Sequence, residues 1–404
     1  MTYKNLIYTD NIPNKFINRN KKNLLSRRFN KIFKELKSEI DNPSKTLNVL
    51  NKNFNFNFNI KKLTKFKKFK TIVLVGMGGS ILGSEAIKNF LEKKIKKKVY
   101  FLDNLDSKKI SSLKKNERLN EVLFIIISKS GNTVETISNF FSLSIIKKKP
   151  KNIIIISEKR ENILFNLAKK LKIHYVEHNP NIGGRYSVLS EVGILPAYLM
   201  GIDIRKLRKN ILNFLMKENL SFLKDSAIKL SCLMNSKKIK NIIFLNFSPE
   251  IEKFLQWCQQ LIAESLGKKG KGFFPVISSA PKDHHSLLQL YLDGPKDKIF
   301  HIFSLRENSP IKLSFKKFDI KIFLEKKSIS EIKDAQKKAL IKILKEKKIP
   351  YREFKVKKLS EEALGELFAY FMIETIIIGK LCGINPFDQP AVEKIKLYTK
   401  KIIN

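Results

Sequence analysis

Residues 122–136 read VLFIIISKSGNTVET, and this stretch decides the fold that we expect. The apolar run at 122–128 indicates a buried strand, and the residues from Thr133 onward can form a helix. A strand that leads directly into a helix exposes free backbone N–H groups and the positive end of the helix dipole at the junction. The junction also carries hydroxyls and one cation: Ser128, Lys129, Ser130 and Thr133. The pattern predicts a site for a dianion such as a phosphate monoester, with a capped turn that binds nothing as the alternative.

Apolar strands alternate with amphipathic helices on both sides of this stretch. This alternation is typical of a parallel sheet covered by helices on both faces, with all of its strand-to-helix turns at one edge. The predicted strands of this first unit are 71–75, 99–102, 122–128, 152–157 and 174–176, and the predicted helices are 84–94, 133–146, 161–171 and 187–200.

The same alternation starts again after Gly201. Ser328 and Glu331 have the spacing of a capping box, which predicts a helix start there. The predicted strands of this second unit are 241–246, 299–305, 319–324 and 351–356, and the predicted helices are 249–266, 328–346, 361–381 and 389–402. We therefore expect an α/β protein with two tandem domains, each a mainly parallel sheet flanked by helices.

The remaining N-terminal part has a different pattern. Residues 1–50 are charged and weakly periodic, which predicts a helical extension ahead of the two domains at 51–205 and 206–404. The alternation of Phe and Asn at 54–59 has a period of two and predicts a strand or an edge ribbon, with a linker as the alternative.

The 404-residue chain has a formal net charge of +43, which invites a nucleic-acid hypothesis. The excess is nearly all Lys, spread along the whole length, and Arg, which reads bases and phosphates bidentately, is scarce. A solvated Lys-rich surface is the preferred interpretation, and we expect no nucleic-acid partner. Such a surface would still attract an acidic substrate.

The three cysteines, Cys232, Cys258 and Cys382, are far apart and have neither metal-ligand spacing nor a disulfide pattern. The N-terminus has no apolar signal-peptide core, and no apolar run reaches the ~18 residues that span a bilayer. These features predict a soluble cytoplasmic protein without a membrane partner.

Four further segments carry groups suited to chemistry. The turn GMGGSILG at 76–83 follows a strand, and its glycines allow close backbone approach to a sugar or phosphate; its spacing does not fit a dinucleotide fingerprint. Arg185 follows two glycines and could stabilise an anion that forms during a reaction. Gln260 and Glu264 lie four residues apart on one helix face, where Glu264 could act as a base. Each has a purely structural alternative, such as an ion pair.

Two more segments complete the candidates. Asp283-His284-His285-Ser286 holds two of the five histidines, and one of them could act as an acid on a sugar ring oxygen. Gln389 and Lys396 lie seven residues apart at a turn and helix start, so they share a helix face.

Taken in order along the chain, these segments resemble the glucose-6-phosphate isomerase family from about Gly76 to Lys396. The segments that carry the resemblance are GMGGS at 76–80, SKSGNT at 128–133, GGRYS at 183–187, Gln260 to Ser265, DHHS at 283–286 and NPFDQ at 385–389. The resemblance implies two sugar-isomerase (SIS) domains and a homodimer whose active sites are shared between subunits. It implies interconversion of glucose 6-phosphate and fructose 6-phosphate through an enediolate, without metal or cofactor.

The resemblance also implies a role for each candidate residue. Glu264 would move the proton between C2 and C1, and Arg185 would stabilise the enediolate. His285, followed by Ser286 and supplied by the partner subunit, would open the ring with Lys396, although His284 remains an alternative. The residues implied to bind the phosphate, the sugar hydroxyls or the pocket wall are Gly79, Ser80, Ser128, Lys129, Ser130, Thr133, Gln260 and Gln389.

Two alternatives remain within this fold. A bifunctional glucose/mannose-6-phosphate isomerase would accept a second substrate. A sugar-phosphate-binding regulator would need only the phosphate loop, so the joint presence of Glu264, Arg185, His285 and Lys396 argues against it.

Overall fold

The computed structural model of the chain describes residues 5–146, 149–307, 310–315 and 322–403. Within these ranges, the strands form two five-stranded sheets that helices cover. The strands are β1 (Leu6–Asn11), β2 (Thr71–Val75), β3 (Lys98–Leu102), β4 (Val122–Ile127), β5 (Ile153–Ser157), β6 (His174–Glu177), β7 (Asn241–Asn246), β8 (Phe274–Ser279), β9 (Lys298–Leu305) and β10 (Tyr351–Val356).

The helices alternate with these strands. The α-helices are α1 (Arg19–Asp41), α2 (Ile60–Leu63), α3 (Leu82–Phe90), α4 (Ser107–Asn116), α5 (Val134–Ser142), α6 (Ile163–Leu171), α7 (Glu191–Met200), α8 (Ile204–Lys209), α9 (Lys217–Ser236), α10 (Glu252–Leu266), α11 (Leu288–Asp293), α12 (Ile329–Glu346), α13 (Glu361–Leu381) and α14 (Glu393–Ile403). The predicted capping box is confirmed, because Ser328 caps α12 and Glu331 bonds back to it.

The first sheet has the order β3-β2-β4-β5-β6, and its neighbouring strands are parallel. Every residue of β2, β4 and β5 is buried, which explains why these strands are continuous apolar runs. The chain passes from β2 to β3 on one side and then crosses back to β4 on the other. The carboxyl ends of β2 and β4 therefore flank a topological switch point, where open α/β sheets bind ligands.

The second sheet has the order β1-β10-β9-β7-β8. Its neighbours are parallel except β1, which pairs antiparallel with β10 in a register from Leu6↔Val356 to Asn11↔Tyr351. The chain passes from β7 to β8 on one side and returns to β9 on the other, so a second switch point lies between β7 and β9. The predicted α/β class with mainly parallel sheets is confirmed.

The long helix α13 explains the most apolar stretch of the sequence. Nearly all of its residues are buried, so it is apolar all round because it is enclosed by protein. Its buried Glu374 accepts a hydrogen bond of 2.6 Å from Nη1 of the buried Arg352 on β10. No helix in the described ranges is both long and apolar enough to cross a bilayer.

Several predictions from the sequence were wrong. Residues 54–59 form no strand; instead the Arg208 guanidinium lies 5.4 and 5.3 Å from the rings of Phe54 and Phe56 and donates to the carbonyl of Asn51. The predicted strand at 319–324 lies partly outside the described residues, and 322–324 form no strand. The N-terminal segment expected to be helical also contains β1, and β8, α4 and α9 were not predicted.

We propose that the two domains divide near residue 205, as the sequence suggests. The first sheet ends at Glu177, and the parallel strands of the second sheet begin at Asn241. β1 joins the second sheet although it precedes the first one in the chain.

Candidate active site

The hydroxyl loop at 128–133 lies at the carboxyl end of β4, beside the switch point of the first sheet. Ser128 Oγ and Thr133 Oγ1 are 2.8 Å apart, and Ser130 Oγ is 3.5 Å from the same Thr133 oxygen. The backbone N–H of Gly131 donates to Ser128 Oγ over 3.2 Å. Because Thr133 is the N-cap of α5, these hydroxyls cluster at a helix N-terminus, an arrangement suited to a phosphate dianion.

The glycine turn after β2 connects this loop to the second domain. A Cβ on Gly76 would lie 3.0 Å from the carbonyl oxygen of Ile127, and one on Gly78 would lie 2.8 Å from Nε2 of Gln260. Gly78 also has a φ of +52°, which glycine adopts without strain. The turn therefore touches the end of β4 on one side and α10 on the other. Ser80 ends the 3-10 helix Gly78–Ser80 and is half-buried.

A second close approach brings Arg185 to the same turn. A Cβ on Gly79 would lie 2.2 Å from the carbonyl carbon of Gly184, which leaves no room for any other residue at position 79. Gly184 begins the 3-10 helix Gly184–Leu189. The glycines of both motifs thus pack backbone against backbone, and Arg185 follows immediately.

Arg185 and Glu264 form the central ion pair of the candidate site. Arg185 is 1% exposed, and its Nη1 lies 3.3 Å from Oε2 of Glu264. Gln260 Nε2 donates to Oε1 of the same carboxylate over 3.0 Å. The Glu264 side chain keeps 29% of its surface exposed, so the carboxylate is held by two donors while remaining open to a ligand. Among the described residues, the cation within 4.0 Å of the Glu264 carboxylate is Arg185.

Arg185 is also fixed by groups that the sequence analysis did not assign. Its Nε donates to Ser265 Oγ over 2.8 Å, and its Nη2 donates to the carbonyl oxygens of Pro386 and Asp388 over 2.5 and 3.2 Å. Tyr186 donates from its hydroxyl to the same Pro386 oxygen over 2.9 Å. Tyr186 and Ser265 each directly follow a predicted site residue, but nothing in the sequence indicates that they meet.

These bonds also place the segment that carries Gln389. Lys268 pairs with Asp388 at 3.0 Å and donates to the Asn385 carbonyl over 2.6 Å. The hydrogen bond from Lys268 lowers the pKa of the Asp388 carboxyl. Gln389 is half-buried next to Asp388, so it is attached to the same framework as Arg185.

Lys129 of the hydroxyl loop is bonded to the segment that leads to Arg185. Its Nζ donates to the carbonyl oxygens of Pro180 and Ile182 over 2.8 and 3.0 Å and lies 3.6 Å from Glu158. Burial lowers the pKa of Lys129, and Glu158 opposes that shift. The side chain therefore joins the hydroxyl loop to the strand-to-helix connection before Gly184.

Replacing Lys129 by Ala should raise the KM for a phosphorylated substrate by about tenfold or more, because charged hydrogen bonds contribute ~1.5–3 kcal/mol each. The loop would lose its attachment to residues 180–182, and the phosphate would bind a less ordered site. Steady-state kinetics would measure the change. Lys159→Ala, an exposed lysine nearby, is the matched control, and an unchanged KM in Lys129→Ala would count against this role.

The two histidines point in different directions. His284 packs edge-on against Phe247 at 5.7 Å, and its Nε2 is buried with no partner in the described part of the chain. Burial lowers the pKa of His284. His285 is exposed, and within the described ranges no hydrogen bond joins it to the Arg185–Glu264 pair. Lys396 is exposed on α14.

The two parallel-type sheets, with a hydroxyl loop and a carboxylate–arginine pair beside the switch point of the first, form the candidate site. The chain belongs to the phosphoglucose isomerase family, whose sequence pattern matches residues 42–272. It is 33% identical to a probable glucose-6-phosphate isomerase of Methanococcus maripaludis over 98% of this chain and 92% of that protein.

Two further proteins are similar. The glucose-6-phosphate isomerase of Methanocaldococcus jannaschii is 33% identical over 85% of this chain and 87% of that protein. The crystal structure of a glucose-6-phosphate isomerase from Chlamydia trachomatis superimposes with a TM-score of 0.75 at 17% identity, covering 100% of this chain and 89% of that one. The structural likeness supports the fold, and the sequence likeness supports the family.

Proposed function

We propose that this protein interconverts glucose 6-phosphate and fructose 6-phosphate. The observation that carries the proposal is the Arg185–Glu264 pair, which the glycine turn connects to the hydroxyl loop. Both sequence relatives described above bear the name of this enzyme, which favours it over the mannose-accepting and regulatory alternatives.

The geometry suggests a division of labour. Ser128, Ser130 and Thr133 would hold the phosphate, which does not react, so that its binding energy positions the sugar. The Glu264 carboxylate would remove the proton from C2 of the open-chain aldose and return it to C1. The electrons left by that proton form the C1–C2 double bond of the enediolate, whose negative oxygen on C1 the Arg185 guanidinium would stabilise. The proton of the C2 hydroxyl passes to this oxygen, so that protonation of C1 leaves a carbonyl at C2. The reverse direction uses the same groups.

The test is a coupled assay of fructose 6-phosphate conversion in the presence of a chelator. We expect turnover with fructose 6-phosphate and none with mannose 6-phosphate. Absence of turnover with fructose 6-phosphate would overturn the proposal, and turnover of both substrates would favour the bifunctional alternative.

The protein would act in the cytoplasm, since the free thiols of Cys232, Cys258 and Cys382 suit a reducing compartment.

We also propose that the active form is a homodimer in which His285 completes the site of the partner subunit. The exposure of His285 supports this, as do the uncovered apolar side chains of α14. These are Ile395, Leu397, Tyr398, Ile402 and Ile403, with exposures of 68, 62, 59, 84 and 67%. Such a patch is typical of an interaction surface.

Mixing two inactive variants tests the shared site. In a heterodimer of His285→Gln and Glu264→Gln chains, one site would carry both substitutions and the other neither. Random exchange of subunits should therefore restore up to about a quarter of the wild-type rate in a symmetric dimer. With a different label on each variant, analytical ultracentrifugation would confirm that the two variants exchange subunits. Exchange without recovery of activity would contradict the shared site.

A further inference from the structure

A cavity lies outside the carboxyl ends of β7 and β9, at the switch point of the second sheet. Its volume is about 490 Å³, within the range of small-molecule sites. Phe247, which follows β7, and residues 304–307, at the end of β9, line it. The cavity therefore has the same position in the second sheet as the hydroxyl loop has in the first, yet the two share no residue.

The floor of this cavity, which we call the β9 cavity, is polar and ordered by hydrogen bonds. Ser304 and Lys337 are 5% and 4% exposed, and Lys337 Nζ donates to Ser304 Oγ over 3.1 Å. Lys337 also pairs with Glu353 at 2.9 Å and with Asp334 at 3.4 Å. Its charge is thus compensated, and it fixes the hydroxyl of Ser304 in place.

The walls carry further cations, most of which have no ion pair among the described residues. Lys333 pairs with Glu307 at 2.7 Å, and the Glu331 carboxylate is bonded to Ser328. In the described part of the chain, four other cations of the lining have no carboxylate oxygen within 4.0 Å: Arg306, Lys312, Lys326 and Lys355.

These cations come from separate elements that converge on one concavity. Lys355 on β10 is the register partner of Ser304 on β9 and is half-buried. Arg306 directly follows β9, whereas Lys312 and Lys326 lie on the connection to α12. Positive charges that face a concave, partly water-excluding space attract an anion more strongly than the same charges on an open surface.

We propose that the β9 cavity binds a small metabolite that carries two or more phosphate groups. The lining Glu331, whose pKa the hydrogen bonds from Ser328 lower most and Lys312 lowers further, offsets one of the four positive charges. The remaining excess still matches a ligand with two or more phosphates better than a single phosphate. Arg306 can hold a phosphate bidentately, and the lysines act as point charges. This site is additional to the isomerase site and does not depend on it.

The test is titration of inorganic pyrophosphate into the intact protein with chelator present, followed by calorimetry. We expect two sites per chain in the wild type, one of which fructose 6-phosphate displaces at the hydroxyl loop. In Arg306→Gln/Lys355→Gln, the Kd of the other site should rise at least tenfold. Lys312→Gln/Lys326→Gln should have the same effect by a change in a different element, and isomerase activity should stay the same in both.

The matched control is Lys342→Gln/Lys345→Gln, which removes two exposed charges of α12 outside the cavity. Its two sites should keep Kd values within twofold of the wild type. Equal weakening in the control and the cavity variants would mean that only the general positive surface binds pyrophosphate, and would overturn the proposal. A single wild-type site that fructose 6-phosphate displaces would overturn it as well.

Discussion

Glu264→Gln is expected to lower kcat for fructose 6-phosphate about a thousandfold, because general acid–base catalysis contributes ~10²–10⁴. The amide has nearly the shape of the carboxylate and keeps one oxygen for the donors Gln260 and Arg185, but it cannot accept the substrate proton. Binding of a non-reacting sugar phosphate should change little, since the hydroxyl loop is intact. Loss of deuterium from labelled C1 to solvent would measure the proton transfer directly.

The matched control for this variant is Glu252→Gln, at the first turn of the same helix α10. It removes the same charge at a distance of three helical turns from Glu264 and should keep the wild-type rate. A Glu264→Gln protein that turns over within fivefold of the wild type would show that another group carries the proton.

Arg185→Lys is expected to reduce kcat by about a hundredfold or more, as loss of a preorganised donor does at other anion-stabilising sites. The charge is kept, but a lysine cannot reach Glu264, Ser265 and two main-chain carbonyls at once. The freed carbonyl oxygens of Pro386 and Asp388 would loosen the segment that carries Gln389. The midpoint temperature of thermal unfolding, Tm, should therefore fall together with kcat.

Arg208→Lys is the control that separates the loss of kcat from the loss of stability. Arg208 donates to three main-chain carbonyls, those of Val49, Asn51 and Leu189, over 2.6–3.0 Å. Among the described residues, it has no hydrogen bond or ion pair with a predicted site residue. We expect this variant to lose stability but to retain kcat. If both arginine variants lose stability while neither loses kcat, Arg185 has only a structural role.

The first sheet could be predicted well because burial on both faces leaves its strands purely apolar. Residues 71–75 were predicted with the observed bounds, and β4 within one residue. β8 was missed because FPVISS contains a proline and ends in two serines, which weakens the apolar signal. The strand predicted at 54–59 was wrong for the opposite reason. The alternation of these residues suits a strand, but Phe54 and Phe56 pack against Arg208 instead.

The candidate site was predictable as a set of segments and less so as a geometry. Parallel strands end at one edge, which made it reasonable to group the glycine turn with the hydroxyl loop. Arg185 and Pro386 are 201 residues apart in the chain, so no local sequence pattern can predict their contact. The hydrogen bonds of Lys129 to Pro180 and Ile182 were not predicted either. In the sequence, a lysine beside hydroxyls suggests a residue that binds phosphate.

The pairing of β1 with β10 has a consequence for synthesis on the ribosome. β1 is synthesised about 340 residues before its partner β10. The strands of the first sheet, at 71–177, are all synthesised well before β10. The strands of the first sheet can pair as they emerge, but β1 cannot pair with β10 until β10 has left the exit tunnel. β1 is therefore expected to find its place in the second sheet only after β10 has been made.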